Sequence, residues 1–209
     1  MARQESAVKE APATEDADTK EQGSPETSRS RDAGGTEPPG RGRRYELYIM
    51  RHGIAVARGA DFADDSKRPL TPEGKKKVQE IARGLKRLGV ALDWVVTSPL
   101  VRAVETSEIV AESLGPNAPM DFCDALRPGG SAEALITFLA KHPGRKRVLV
   151  TGHEPDLGWL AARLIGAGRH ASLAFKKGGC CLLEFDQFPP KSPGDLVWWA
   201  TPRLLRKLG

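Results

Sequence analysis

From Tyr45 onward, short apolar runs alternate with amphipathic stretches of ten residues or more, and this rhythm leaves few folds open to the chain. Tyr45-Glu46-Leu47-Tyr48-Ile49-Met50 reads as a strand running into Arg51-His52-Gly53. Thr71-Pro72 has the form of an N-cap followed by proline in the first helical turn, and Val78, Ile81, Leu85 and Leu88 then recur at helical spacing. Leu92 to Thr97 reads as a buried strand, with Ser98-Pro99 as a second cap-and-proline start for a helix reaching Leu114. The alternation continues through a strand at Met120 to Phe122, a helix from Ser131 to Lys141 and a strand from Arg147 to Thr151. A helix from Pro155 to Ile165 follows, with Leu157, Leu160, Ala161 and Leu164 on one side, and Cys180 to Phe185 and Leu196 to Trp199 read as late strands. Strands alternating with helices predict an α/β fold, a three-layer α/β/α sandwich around a mainly parallel sheet. Ligands gather at the carboxyl ends of strands in such sheets. Arg51-His52-Gly53, Ser98 to Arg102 and Gly152-His153 fall at such ends.

Residues 1–44 have Met1 and Val8 as their only large apolar side chains. A segment so poor in apolar surface cannot offset its ordering entropy, so a disordered tail is expected at 1–44 and a folded domain at 45–209. The tail is acidic early (Glu15, Asp16, Asp18, Glu21) and basic late (Arg29, Arg31, Arg41, Arg43, Arg44). A formal charge of +5 and a sequence pI near 9.2 favour anionic ligands without choosing among phosphate esters, acidic proteins and nucleic acid. The basic run lacks interleaved aromatics and any reading motif, which makes a nucleic-acid partner the weaker expectation.

Three cysteines give neither an even disulfide framework nor zinc-ligand spacing, so no metal is expected and a reducing, cytoplasmic setting fits best. No apolar run reaches the roughly 18 residues of a membrane span, and the N-terminus lacks a secretory signal. A soluble monomer away from the membrane is expected.

Leu47-Tyr48-Ile49-Met50-Arg51-His52-Gly53, followed by Arg68-Pro69-Leu70-Thr71-Pro72-Glu73-Gly74, resembles the histidine phosphatase (phosphoglycerate mutase-like) superfamily. Ser98-Pro99-Leu100-Val101-Arg102-Ala103 with Glu105-Thr106, and Gly152-His153-Glu154-Pro155-Asp156-Leu157, extend the match in order. Phe175-Lys176-Lys177-Gly178-Gly179 and Trp199-Ala200-Thr201-Pro202 resemble its small SixA-type phosphohistidine phosphatases. One Arg-His-Gly tripeptide is a weak signal, whereas an ordered set of such motifs is a specific one.

The resemblance implies that His52 is a nucleophile transiently phosphorylated during hydrolysis, with no cofactor. Its other ring nitrogen needs an acceptor, so that the attacking nitrogen stays unprotonated and aimed. Arg51 and Arg102 offer planar donor forks to phosphoryl oxygens, and His153 offers a further donor. Gly53 and Lys176 complete the expected substrate contacts. Mutase-like members carry a glutamate in a stretch like Leu-Arg-Glu; this chain has Leu126-Arg127-Pro128. A nitrogen leaving group that arrives protonated needs less acid help, so this departure fits phosphohistidine. Glu154 is read either as a catalytic acid or as a cap of the helix beginning at Pro155. Asp64 and Asp65, in the loop before Arg68, read as weaker candidates for the acid and more often as solvated loop charges, Lys176 and Lys177 as a solvated face able to guide an acidic partner, and His142 and His170 as surface residues. The expected partner is a phosphorylated protein bearing phosphohistidine. The alternatives are small phosphoanhydrides or phosphomonoesters, and a phosphate-binding module without turnover.

Overall fold

The structure, a computed structural model, describes residues 44–59, 62–168, 171 and 173–209. The expectations for residues 1–43 and for His170 therefore lie outside the described residues.

Six strands form one sheet in the order β3-β2-β4-β1-β5-β6. They are β1 (Tyr45–Arg51), β2 (Trp94–Thr97), β3 (Met120–Phe122), β4 (Arg147–Gly152), β5 (Cys180–Phe185) and β6 (Asp195–Ala200). β1, β4, β2 and β3 run parallel, whereas β5 and β6 pair antiparallel on the other side of β1. The connections carry α1 (Pro72–Arg87), α2 (Val101–Leu114), α3 (Ala132–Ala140) and α4 (Asp156–Leu164), and α5 (Pro202–Leu208) closes the chain.

Side chains alternate across a strand, and β1 shows how that alternation builds two cores. Tyr45, Leu47 and Ile49 pack with Leu135 and Leu139 of α3 and Leu157, Leu160 and Leu164 of α4. Tyr48 and Met50 face the other way, onto Val78, Ile81 and Leu85 of α1, Val110 and Leu114 of α2 and Leu205 of α5. Both faces of the sheet are covered, so the chain is a three-layer α/β/α sandwich with a mostly parallel sheet, as its apolar pattern predicts.

Three expectations are corrected. Ser98-Pro99 does not open α2, which begins at Val101 with Leu100 as its N-cap and no side-chain cap bond. The fourth helix begins at Asp156, with Pro155 as N-cap. Leu88 is the C-cap of α1 and is exposed, so it does not share the buried stripe. By contrast, Thr71 caps α1 as expected, its hydroxyl accepting from the Gly74 amide at 2.9 Å. The cysteines Cys123, Cys180 and Cys181 are free, buried thiols. At the edge of the expected tail, the Arg44 guanidinium pairs with Glu184 at 2.9 Å, Asp186 at 3.2 Å and Asp195 at 2.7 Å.

Candidate active site

The parallel register brings the three motifs together. Arg51 at the end of β1 lies opposite Gly152 at the end of β4, and Thr151 lies opposite Thr97 at the end of β2. The ladder runs one residue further: the His52 amide donates to Gly152 O at 3.2 Å and the Ser98 amide to Thr151 O at 2.9 Å. Ser98, His153 and His52 therefore stand side by side at the carboxyl edge of the sheet, with His153 in the middle. The two imidazoles are 5.0 Å apart between ring centroids.

Each ring is held through one nitrogen. Nδ1 of His52 lies 2.7 Å from Gly53 O, the backbone acceptor expected for the nucleophile, so this nitrogen carries the proton and Nε2 keeps its lone pair. Nε2 of His153 lies 2.9 Å from the Ser98 hydroxyl, while its Nδ1 is buried without a partner among the described residues. Ser98 thus serves His153 instead of capping a helix. The sequence motif contained this serine, but the cap-and-proline reading concealed its use.

Burial dominates the electrostatics of both rings. It pushes His52 down to about 4, helped by Arg102, Arg51 and Lys177 and opposed by the Gly53 carbonyl. Burial, then His52 and Arg102, hold His153 down at about 3. Both histidines are therefore neutral at pH 7, and His52 is available as a nucleophile without first losing a proton.

The arginines approach from two elements. Arg51 ends β1 and donates from Nη1 to Phe175 O at 2.7 Å, leaving Nε buried and unpartnered among the described residues. Arg102 sits in the first turn of α2, only 3% exposed, and its Nε is likewise buried and unpartnered. Burial lowers both guanidinium pKa values, with Glu154 opposing at Arg51 and Asp65 at Arg102, yet groups that start so high remain cations. Thr106, one turn along α2, accepts from the Gly53 amide at 3.0 Å and donates to Arg102 O at 2.6 Å. That link ties the Arg102 helix to the backbone behind His52.

The loop before β5 closes the other side. Gly178, at a φ of 81° that favours glycine, directs its amide at Arg51 O and His52 O, at 3.0 and 3.1 Å. Lys176 is exposed beside this turn and makes no ion pair among the described residues, and the lysine whose charge reaches His52 is its neighbour Lys177. Glu154 Oε1 accepts from the Phe175 amide at 3.1 Å, and this bond and one from the Gly158 amide lower its pKa. Burial nonetheless raises the Glu154 carboxyl above its usual range.

Asp64 and Asp65 differ from expectation and from each other. Asp64 is a local cap, accepting from the Ser66 amide at 2.9 Å in the 3-10 turn Asp65–Lys67. Asp65 is no solvated loop charge. Its carboxylate meets Arg58 and Arg68, each at 2.7 Å, and Arg102 at 3.0 Å. Burial pushes this carboxyl up, but the three arginines outweigh it and hold the group well below the usual carboxylate range. Arg68, whose Nη1 donates to Val56 O at 2.6 Å, is a second residue absent from the expected site. His142 is exposed as expected, with its ring 4.6 Å from that of Trp94.

Comparison with known proteins gives this arrangement relatives. The sequence profile of the histidine phosphatase superfamily (branch 1) matches residues 47–128. Phosphohistidine phosphatase SixA of Escherichia coli K12 is 35% identical over 121 residues, covering 57% of this chain and 73% of SixA. An uncharacterised protein of Picosynechococcus sp. is 45% identical over 140 residues, covering 64% of this chain and 81% of the relative. Among solved structures, the protein histidine phosphatase SixA complexed with tungstate superposes with a TM-score of 0.66 at 28% identity, covering 76% of this chain and 97% of SixA. No described helix is long and apolar enough to cross a membrane.

Proposed function

Given that the chain belongs to the histidine phosphatase superfamily and is a phosphatase of the SixA type, we propose that it removes phosphoryl groups from phosphohistidine on a partner protein, through a phosphorylated His52 and without a metal. The activity is assigned to residues 45–209. The observation that carries this reading is the 2.7 Å contact of His52 Nδ1 with Gly53 O, in a buried setting that keeps the imidazole neutral, helped by Arg102 and Arg51.

In the first displacement, the lone pair on His52 Nε2 attacks phosphorus as the bond to the leaving nitrogen breaks, and the leaving imidazole departs carrying its own proton. In the second, water attacks the phosphorus, the His52–phosphorus bond breaks, and inorganic phosphate leaves as His52 Nε2 regains its lone pair. Splitting hydrolysis in this way replaces one difficult step with two easier ones. Arg51, Arg102 and His153 stabilise charge on the equatorial oxygens in both steps, and the fixed guanidinium charges take the part a metal plays elsewhere. The Gly53 backbone, expected to contact substrate, instead spends its amide on Thr106 and its carbonyl on His52 and so positions the nucleophile. The exposed Lys176 and Lys177 add attraction for an anionic partner.

The missing acid supports the substrate class. Leu126 is buried at the end of the turn Asp124–Leu126, and the next positions are Arg127, paired with Asp124 at 2.6 Å, and Pro128. No carboxylate follows Arg127 to protonate an alkoxide. Glu154 is the acidic group next to the second histidine, and its bond to the Phe175 amide favours anchoring the Arg51 side of the pocket over proton donation.

The test compares kcat/KM on a phosphohistidine-bearing phosphotransfer protein with that on alkyl phosphomonoesters. A preference of at least 100-fold for the phosphoramidate is expected, roughly the value of a general acid that an ester would need and a protonated imidazole would not. Equal or better hydrolysis of the alkyl esters defeats the substrate assignment.

A further inference from the structure

Asp65 is the acidic group in direct contact with the phosphoryl-binding cations, and its contacts are divided. Oδ1 takes Arg58 Nε at 2.7 Å and Arg68 Nε at 2.8 Å, whereas Oδ2 takes Arg102 Nη2 at 3.0 Å. The backbone oxygen of the same residue accepts from Arg102 Nη1 at 2.8 Å. One residue therefore engages both terminal nitrogens of a guanidinium that is almost wholly buried, from a turn 37 positions away in sequence. Its bridge to Arg68, itself bonded to Val56 O, fixes Asp65 in turn.

We propose that Asp65 is a positioning residue and internal counter-anion of the phosphoryl pocket: it sets the plane of Arg102, and its charge keeps inorganic phosphate from being retained after hydrolysis. The proposal rests on the reading of the pocket given above. Each terminal nitrogen of Arg102 spends one donor on Asp65, and the remaining donors, with Nε, stay available for phosphoryl oxygens. Without Asp65, Arg102 would have no bonded counter-charge and the pocket would be more strongly cationic, holding the leaving dianion as firmly as it stabilises the transition state. A fixed carboxylate bonded directly to that cation lowers the affinity for every bound anion. It also spares Arg102 the reorientation that a loose side chain would need at each turnover.

The decisive experiment titrates inorganic phosphate into the wild type, Asp65→Asn and Asp65→Glu by calorimetry, alongside kcat on a phosphohistidine protein. Asp65→Asn keeps an acceptor but loses the charge, so phosphate is expected to bind roughly tenfold more tightly while kcat falls roughly tenfold. Asp65→Glu keeps the charge on a longer arm, so phosphate affinity should stay within about threefold of wild type while kcat still falls. A purely architectural role would weaken phosphate binding and kcat together. Weaker or unchanged phosphate binding in Asp65→Asn, or tighter binding in Asp65→Glu, overturns the proposal. Because phosphate titration needs no turnover, it tests Asp65 even if the phosphohistidine assignment fails.

Discussion

The Ser98 hydroxyl lies 2.9 Å from Nε2 of His153, and this contact holds the second imidazole of the pocket by one nitrogen while the other stays free of protein partners among the described residues. Both groups sit just past the ends of adjacent parallel strands, so the sheet register itself sets their spacing. Removing the hydroxyl leaves the His153 ring free to rotate. Ser98→Ala is expected to lower kcat about tenfold, the scale of one hydrogen bond, and to lower the thermal midpoint by a few degrees because a buried ring nitrogen loses its partner. An unchanged kcat would show that Ser98 does not orient His153.

Arg51 and Arg102 are expected to resist conservative exchange. Lysine keeps the charge but loses the planar fork, and at Arg102 it cannot reproduce the paired contacts with Asp65. Arg51→Lys and Arg102→Lys should each reduce kcat/KM by roughly 100-fold or more, within the range found for loss of a preorganised oxyanion donor. Steady-state kinetics on the phosphohistidine substrate checks this. A loss under tenfold would place the arginine outside the pocket.

Glu154 separates anchoring from acid catalysis. Its carboxylate ties the Phe175 amide, and the Phe175 carbonyl in turn receives Arg51, so one side of the pocket depends on this short chain of bonds. Glu154→Gln should lower the melting temperature by several degrees, the effect of roughly 1 kcal/mol in a domain of this size, while kcat on phosphohistidine stays within about threefold. A kcat loss of two orders of magnitude with unchanged melting would instead make Glu154 the acid. Gly158→Ala strikes the same wall from behind. A Cβ there would collide with the Leu173 carbonyl oxygen, so α4 and the loop carrying Leu173 would be forced apart and both stability and turnover should fall.

The buried histidines also set a pH dependence of stability. In the unfolded chain an imidazole titrates at about 6.5, whereas His52 in the fold titrates at about 4 and His153 at about 3. Between those values the unfolded state binds more protons than the folded one, so stability rises with pH there and falls as pH drops. The contribution is fully present above the unfolded value and is lost as the pH falls through 6.5 toward 4 and 3. Urea midpoints should decline from pH 7 to pH 5 in the wild type, and less steeply in His153→Gln. Parallel slopes in the two proteins would mean that His153 is not buried in neutral form.

Much of the fold is legible because its elements are either long and periodic or short and wholly apolar. α1 announces itself through Thr71-Pro72 and the spacing of Val78, Ile81 and Leu85, and β5 through an unbroken run from Cys180. α5 carries little signal of its own: it spans seven residues, too few for a periodic pattern, although Thr201-Pro202 repeats the cap-and-proline form that opens α1. Ser98-Pro99 shows the opposite failure, since a similar local signal opens no helix and its hydroxyl instead meets a histidine 55 residues away. That the motif histidines and arginines would be brought together is legible, because register at parallel strand ends converts sequence motifs into neighbours. Asp65 is not, because its meaning lies in arginines brought to it by tertiary packing, and a lone aspartate in a polar loop carries no local sign of them.

The central claim is that a phosphoryl group passes through His52. Quenching the enzyme during turnover of a phosphohistidine substrate labelled with radioactive phosphate should leave acid-labile, base-stable label on the wild-type protein, mapping to the peptide that contains His52. His52→Ala should carry none while still folding with the wild-type far-UV circular dichroism spectrum. Label that persists in His52→Ala, or that maps to another residue in the wild type, would contradict the account.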